Sequence, residues 1–145
     1  MKVLILGTEI ISKIIGDSIL EDVSSLTYVD ESEINYKSWD FTNLSKISFH
    51  KGSFNKIDTI ISAGLESADL VIASTNNDSL NSFLAQKSKI NFDVNCLIVL
   101  SNRSLANLFR DLDFFVIDSH NIDVSKIINR LKKIYNKLLI SMDYL

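Results

Sequence analysis

Short apolar runs alternate with longer amphipathic stretches along the whole of this 145-residue chain, and that alternation limits the fold more than any single motif. Residues 2–6 form a continuous apolar run, the pattern of a strand buried on both faces. Further strands are predicted at 26–29, 46–50, 70–74, 95–100 and 114–117. Between the first two, Ile10, Ile11, Ile14, Ile15 and Ile19 recur at helical spacing within 9–20. Helices are also predicted at 56–63, where Gly64 is placed to stop the helix, and at 77–88 and 105–112. The polar stretch 31–44 reads as a short helix and a loop. A long amphipathic helix over 122–140 carries Ile127, Ile128, Leu131, Ile134 and Leu138 on one face. Strands alternating with helices need right-handed crossovers, hence a parallel sheet. The expected fold is α/β: a doubly wound, Rossmann-like parallel sheet of about six strands in three layers. Its first strand should be central, with Ile5, Val71, Ile72 and Ile98 buried.

Composition narrows the class. A net charge of −3 argues against nucleic acid as a partner. No run of about 18 apolar residues exists to span a membrane. The first apolar run is too short for a signal peptide, so a cytoplasmic location is expected. Cys96 is the only cysteine, which excludes an intrachain disulfide and a cysteine-rich zinc site; it is expected in the core. His50 and His120 are too far apart in sequence to suggest a metal site and are expected at the surface. Residues 1–120 are read as the Rossmann-like domain, and 121–145 as a C-terminal amphipathic helix for dimerisation or linkage.

In such a sheet, ligands bind beyond the carboxyl ends of the strands. After the first strand comes Gly7-Thr8-Glu9-Ile10-Ile11-Ser12. Of a G-x-G-x-x-G phosphate loop only Gly7 stands; Glu9 places a carboxylate where phosphates would approach, and Ser12 takes the packing position. Asp30, 23 positions after Gly7, is placed to hold a ribose hydroxyl, with Glu31 beside it. After the third strand, Gly52-Ser53 reads either as a ligand contact or as a glycine turn with a helix-capping serine. Thr75 and Asn76 follow the fourth strand, with hydroxyl and amide groups for a ligand, while Asn76 or Asn77 is placed to cap the next helix; the two readings do not exclude each other. Neither a Tyr-x-x-x-Lys pair nor a nucleophile elbow is present, and no catalytic residue is assigned.

The run from Ser62 to Asn81, Ser-Ala-Gly-Leu-Glu-Ser-Ala-Asp-Leu-Val-Ile-Ala-Ser-Thr-Asn-Asn-Asp-Ser-Leu-Asn, resembles the N-terminal domain of TrkA-type potassium-uptake regulators, also called RCK or KTN domains. Met1 to Gly7, Tyr28-Val29-Asp30, Gly52 and Val116-Ile117-Asp118-Ser119 fall in the same order. The resemblance implies a cytoplasmic regulatory subunit, peripheral to the inner face of the plasma membrane. It implies a partner that is a membrane potassium-translocating subunit, and assembly as a homodimer or higher ring. It also implies binding of NAD(H) or of ATP, ADP or AMP, at Gly7, Thr8, Glu9, Asp30, Glu31, Gly52, Ser53, Thr75 and Asn76. The chain departs from the family at Glu9, Ser12 and Ser53, and at Ile98 and Leu100, where a basic residue often stands. Two other readings remain open at this point: an assembly domain that has lost its nucleotide, and an NAD(P)-dependent oxidoreductase. Part of the stripe on the last helix is expected to pack on a second subunit or on a C-terminal domain, with its first two turns in the chain's own core.

Overall fold

The computed structural model describes residues 1–41 and 45–143; the end of the polar stretch 31–44 and of the segment 121–145 lies outside the described residues. The strands are β1 (Lys2–Leu6), β2 (Ser25–Asp30), β3 (Ile47–Lys51), β4 (Leu70–Ala73), β5 (Asn95–Leu100) and β6 (Phe115–Asp118). The helices are α1 (Ile10–Ile19), α2 (Ile34–Ser38), α3 (Ile57–Ser62), α4 (Asp78–Gln86), α5 (Arg103–Asp111) and α6 (Val124–Asp143). All six strands are parallel, in the order β3-β2-β1-β4-β5-β6. This is the doubly wound arrangement expected, with β1 and β4 at the reversal of strand order.

The central strands are apolar because both their faces are covered. Leu4, Leu6, Val71, Ala73, Ile98 and Leu100 face a core shared with Ile60, Leu84, Ala106 and Phe109 of α3, α4 and α5. Val3, Ile5, Leu70, Ile72, Leu97 and Val99 face the opposite core with Ile15 and Ile19 of α1 and Ile127, Leu131 and Ile134 of α6. Ile5, Val71, Ile72 and Ile98 are fully buried. Each such side chain contributes about 1.5–3 kcal/mol relative to exposure.

Two features bring α1 and α2 close to the sheet. Gly16 faces the Tyr28 hydroxyl, and a Cβ there would collide with it. Tyr28 itself is fully buried, with its ring against Trp39 at 5.2 Å and Tyr36 at 6.0 Å. Helix α2 has only five residues, so Tyr36 and Trp39 supply the bulk that a longer helix would have laid over β2 and β3.

The stripe on α6 lies largely within the domain's own core. Ile127, Leu131 and Ile134 are buried within the chain, and Ile128 and Leu138 are half-buried. The stripe is therefore mainly this domain's own core, because α6 packs back on the sheet beside α1. The large apolar groups that remain exposed near its end are Tyr135, Leu139, Ile140 and Met142, on other faces. Among the described residues, no helix is long and apolar enough to cross a membrane.

Candidate functional site

The turn from β1 into α1 is fixed from beneath. Gly7 has φ 120°, and a Cβ there would lie 2.9 Å from the carbonyl oxygen of Ser74 at the end of β4. Only glycine meets both demands. Its N–H donates to the Val29 carbonyl at 2.8 Å. Glu9 is the N-cap of α1, and its N–H donates to the Ser12 hydroxyl at 3.2 Å. Ser12 is fully buried, and its hydroxyl lies 2.8 Å from that of Ser74 and 3.0 Å from the Ser74 carbonyl. The serine in the packing position thus joins α1 to β4 through hydrogen bonds, where a glycine would do so by absence of bulk. Two N–H groups of the turn are already spent inside the chain, and Glu9 leaves its carboxylate half-buried beside the helix end.

The ends of β2 and β3 join this turn through a chain of polar contacts. The Thr8 hydroxyl, 2% exposed, donates to Asp30 Oδ2 at 2.6 Å. The other oxygen of Asp30 accepts the Glu31 N–H at 2.6 Å. Both carboxylate oxygens are oriented, and each keeps acceptor capacity for a further donor. The Ser53 hydroxyl donates to Glu31 Oε1 at 3.2 Å, and the Gly52 N–H donates to the Asp30 carbonyl at 3.0 Å. Ser53 does not cap α3, which starts four residues later at Ile57; it accepts the Asn55 N–H instead, at 3.2 Å. The sequence reading missed Asn35, whose Nδ2 donates to the Thr8 carbonyl at 3.1 Å and brings α2 over the turn. It lies in a polar stretch without periodicity, so no sequence signal marked it. These bonds bring Thr8, Asp30, Glu31, Gly52 and Ser53 together at the carboxyl ends of β1, β2 and β3, with Gly7 and Glu9 flanking Thr8.

Thr75 and Asn76 part company. Thr75 is nearly buried, and its hydroxyl donates to Asn81 Oδ1 at 2.6 Å. Asn76 is exposed. Asn77 caps α4 by accepting the Leu80 N–H at 2.9 Å. Asn81, 1% exposed, accepts from the Thr75 N–H and donates to the carbonyls of Thr75 and Val99 at 3.0 and 2.9 Å. Asp78 accepts the N–H groups of Ser101 and Asn102 at 3.0 and 2.8 Å, and the Ser101 hydroxyl at 3.0 Å. The side chains of Thr75, Asp78 and Asn81 therefore weld the end of β4 to β5 and the start of α5.

Asp30 presents an oriented carboxylate with acceptor capacity of the kind that takes hydroxyl donors, while Glu9 sets a second carboxylate beside the start of α1, where the Gly7 and Glu9 amides are already bonded. The one thiol does not contribute chemistry here: burial pushes Cys96 up to about 12. His50, half-buried, bonds Ser62, and His120 is exposed.

The family model for the TrkA-N domain matches residues 3–131. Among solved structures, the chain is similar to the Kef C-terminal domain of Shewanella denitrificans in its AMP-bound form. That match has 15% identity and a TM-score of 0.66, covering 82% of this chain and 72% of the other. The TrkA-N domain of the inner membrane protein ybaL from Escherichia coli matches at 12% identity and TM-score 0.67, over 91% and 94%. The GsuK channel bound to NAD matches at 14% identity and TM-score 0.63, over 79% of this chain and 21% of that one. A search of the curated proteins finds no match. At these identities the structural likenesses speak for the fold, while the family model covers most of the sequence: the chain belongs to the TrkA-N domain family.

Proposed function

We propose that this chain is a regulatory, non-enzymatic domain that binds an adenine nucleotide at the carboxyl ends of β1, β2 and β3 and passes that state to a potassium-translocating membrane partner. The observation that carries the reading is the Thr8–Asp30 hydrogen bond of 2.6 Å, which holds a carboxylate at the position suited to a ribose. Family membership and an AMP-bound structural neighbour support it. Gly7 and Thr8 would lie beneath the phosphate, Asp30 and Glu31 at the ribose, and Gly52, Ser53 and Asn76 along the rim. Thr75 would act through the backbone it fixes. A ligand with one phosphate is favoured over NAD or ATP, because each added phosphate brings more negative charge near Glu9. Assembly as a homodimer or ring at the inner face of the membrane belongs to the same proposal and accords with the family.

Calorimetric titration with AMP tests the site. The expected outcome is a single saturable event that weakens about tenfold or more in Asp30→Asn, since hydrogen bonds to a charged group contribute about 1.5–3 kcal/mol. No heat at millimolar AMP, or an unchanged affinity in Asp30→Asn, would reject it. The regulatory role is tested by rubidium uptake in cells that express a potassium-translocating subunit with and without this chain. Uptake that changes with the wild-type chain and not with Asp30→Asn is the expected result.

A further inference from the structure

A second cleft lies beyond the ends of β5 and β6, built from α5 and the turn that leads to α6. It has a volume of about 310 Å³, and its walls include Asn102, Arg103, Asn107, Arg110, Asp118 and His120. The chain uses lysine freely, 12 times among its 15 basic residues, and arginine only at Arg103, Arg110 and Arg130. Two of those three arginines line this one cleft. Among the described residues, neither Arg103 nor Arg110 is in a salt bridge; the described pairs are Lys13–Asp17 and Lys37–Glu33.

The hydrogen-bond accounting of the walls is one-sided. Asn102 spends its acceptor oxygen on the Leu105 N–H at 2.9 Å, leaving its amide NH₂ as the free end. Asn107 spends its oxygen on Arg110 Nη1 at 3.2 Å, again leaving an NH₂. Asp118 has one oxygen on the His120 N–H at 2.9 Å. What remains is mainly donors: the fork of Arg103, most of the fork of Arg110, and two amide groups. Among the charged side chains of the walls, two guanidinium groups stand against the carboxylate of Asp118; the Asp78 carboxylate nearby is spent on the Ser101 and Asn102 N–H groups. A cleft rich in unspent, cationic donors asks for a compact anion with many acceptor lone pairs, and the planar arginine fork matches phosphoryl oxygens two at a time. We infer that this cleft binds a phosphoryl group, held between Arg103 and Arg110 with Asn102 and Asn107 as neutral donors. The phosphoryl group can be free inorganic phosphate or the terminal phosphate of a larger ligand. The inference stands apart from the nucleotide reading, since it uses none of the residues around Gly7 and Asp30.

The test is a titration of the isotopically labelled 145-residue chain with inorganic phosphate, followed by amide chemical shifts, with chloride at matched ionic strength as control. The expected result is saturable, phosphate-specific shifts centred on Arg103, Asn107, Arg110 and His120. Arg103→Gln and Arg110→Gln should each weaken the response at least fivefold, while Lys132→Gln leaves it unchanged. Should a glutamine variant fail to fold, Arg103→Lys and Arg110→Lys keep the charge and lose the fork, and should still weaken binding. Repeating the titration with saturating AMP separates the sources. Additive shifts mean that the cleft takes free phosphate independently of AMP; displacement by AMP means that AMP's own phosphate takes this cleft, which keeps the cleft and counts against a phosphate seat over Gly7 and Thr8. Shifts that chloride reproduces, shifts centred elsewhere, or full affinity in the arginine variants would overturn the inference.

Discussion

The carboxyl edge of this sheet has two halves that differ in charge and in how their side chains are spent. On the side of β1, β2 and β3, Glu9, Asp30 and Glu31 set three carboxylates at the strand ends, and Thr8 and Ser53 turn their hydroxyls toward two of them. On the side of β4, β5 and β6, Asp78 and Asn81 are consumed in bonds to the backbone, and the free groups nearby are those of Arg103 and Arg110. The first half offers acceptors to a ligand that carries hydroxyls. The second offers donors, on a frame locked by buried amides. The comparison separates residues that resemble the family because they hold the frame from residues that could meet a ligand. In this chain the run richest in family resemblance, from Ser62 to Asn81, is largely frame.

The frame is where the largest effect is expected. Asn81→Leu removes four hydrogen bonds and leaves the Thr75 N–H and the carbonyls of Thr75 and Val99 short of partners. Each buried, unsatisfied group costs about 1–3 kcal/mol, so urea denaturation should show a loss of about 3 kcal/mol or more. A loss below about 1 kcal/mol would mean that the β4–β5 half is not held as described.

Gly7→Ala probes the seam between the halves. The φ of 120° and the 2.9 Å approach to the Ser74 carbonyl both oppose a Cβ. The expected cost is about 1–3 kcal/mol in the same measurement. Because Ser74 is backbone at that contact, it cannot swing away, and a neutral result would contradict the packing of the turn.

Cys96 gives a smaller effect with a defined pH dependence. Burial raises its thiol to about 12, whereas an unfolded cysteine titrates near about 8.5. Between these values the unfolded chain has released a proton that the folded chain keeps. The stabilisation from the neutral thiol is therefore complete below about pH 8.5 and declines as pH rises, by up to about 1.4 kcal/mol per pH unit. Cys96→Ala should remove that decline from the difference between the two stability curves at pH 8–10. Parallel curves would show that the thiol is not buried.

The strands, their parallel pairing and the central place of β1 follow from apolar runs and crossover rules, because a strand covered on both faces must be apolar throughout. Boundaries moved by a residue or two where hydrogen bonds, not hydrophobicity, decide the end: β6 runs to Asp118, and α5 begins at Arg103 because Asn102 caps it. The spacing to Gly7 marks Asp30 as the residue that ends β2, and the structure sets it against Thr8 of the turn. The engagement of Thr75 is not legible in the sequence, since a threonine after a strand reads the same whether its hydroxyl faces a ligand or a buried asparagine. Asn35 was invisible for a related reason: its role depends on α2 folding back over Thr8, a tertiary contact that leaves no periodic trace. Periodicity marks the stripe on α6 as apolar, but it does not say whether a helix covers its own sheet or a neighbour's.

The proposed seating of a ribose at Asp30, with Glu9 opposing added phosphates, is tested most directly by one comparative titration. Calorimetry with AMP and ATP on the wild-type chain and on Glu9→Gly should give AMP the tighter binding in the wild type. Two like charges about 4 Å apart cost on the order of 4 kcal/mol at an effective dielectric of 20, and solvent around a half-exposed Glu9 reduces this considerably. Removing Glu9 should therefore tighten ATP by about tenfold and AMP by less. Tighter binding of ATP than of AMP by the wild-type chain, or no gain for ATP in Glu9→Gly, would contradict it.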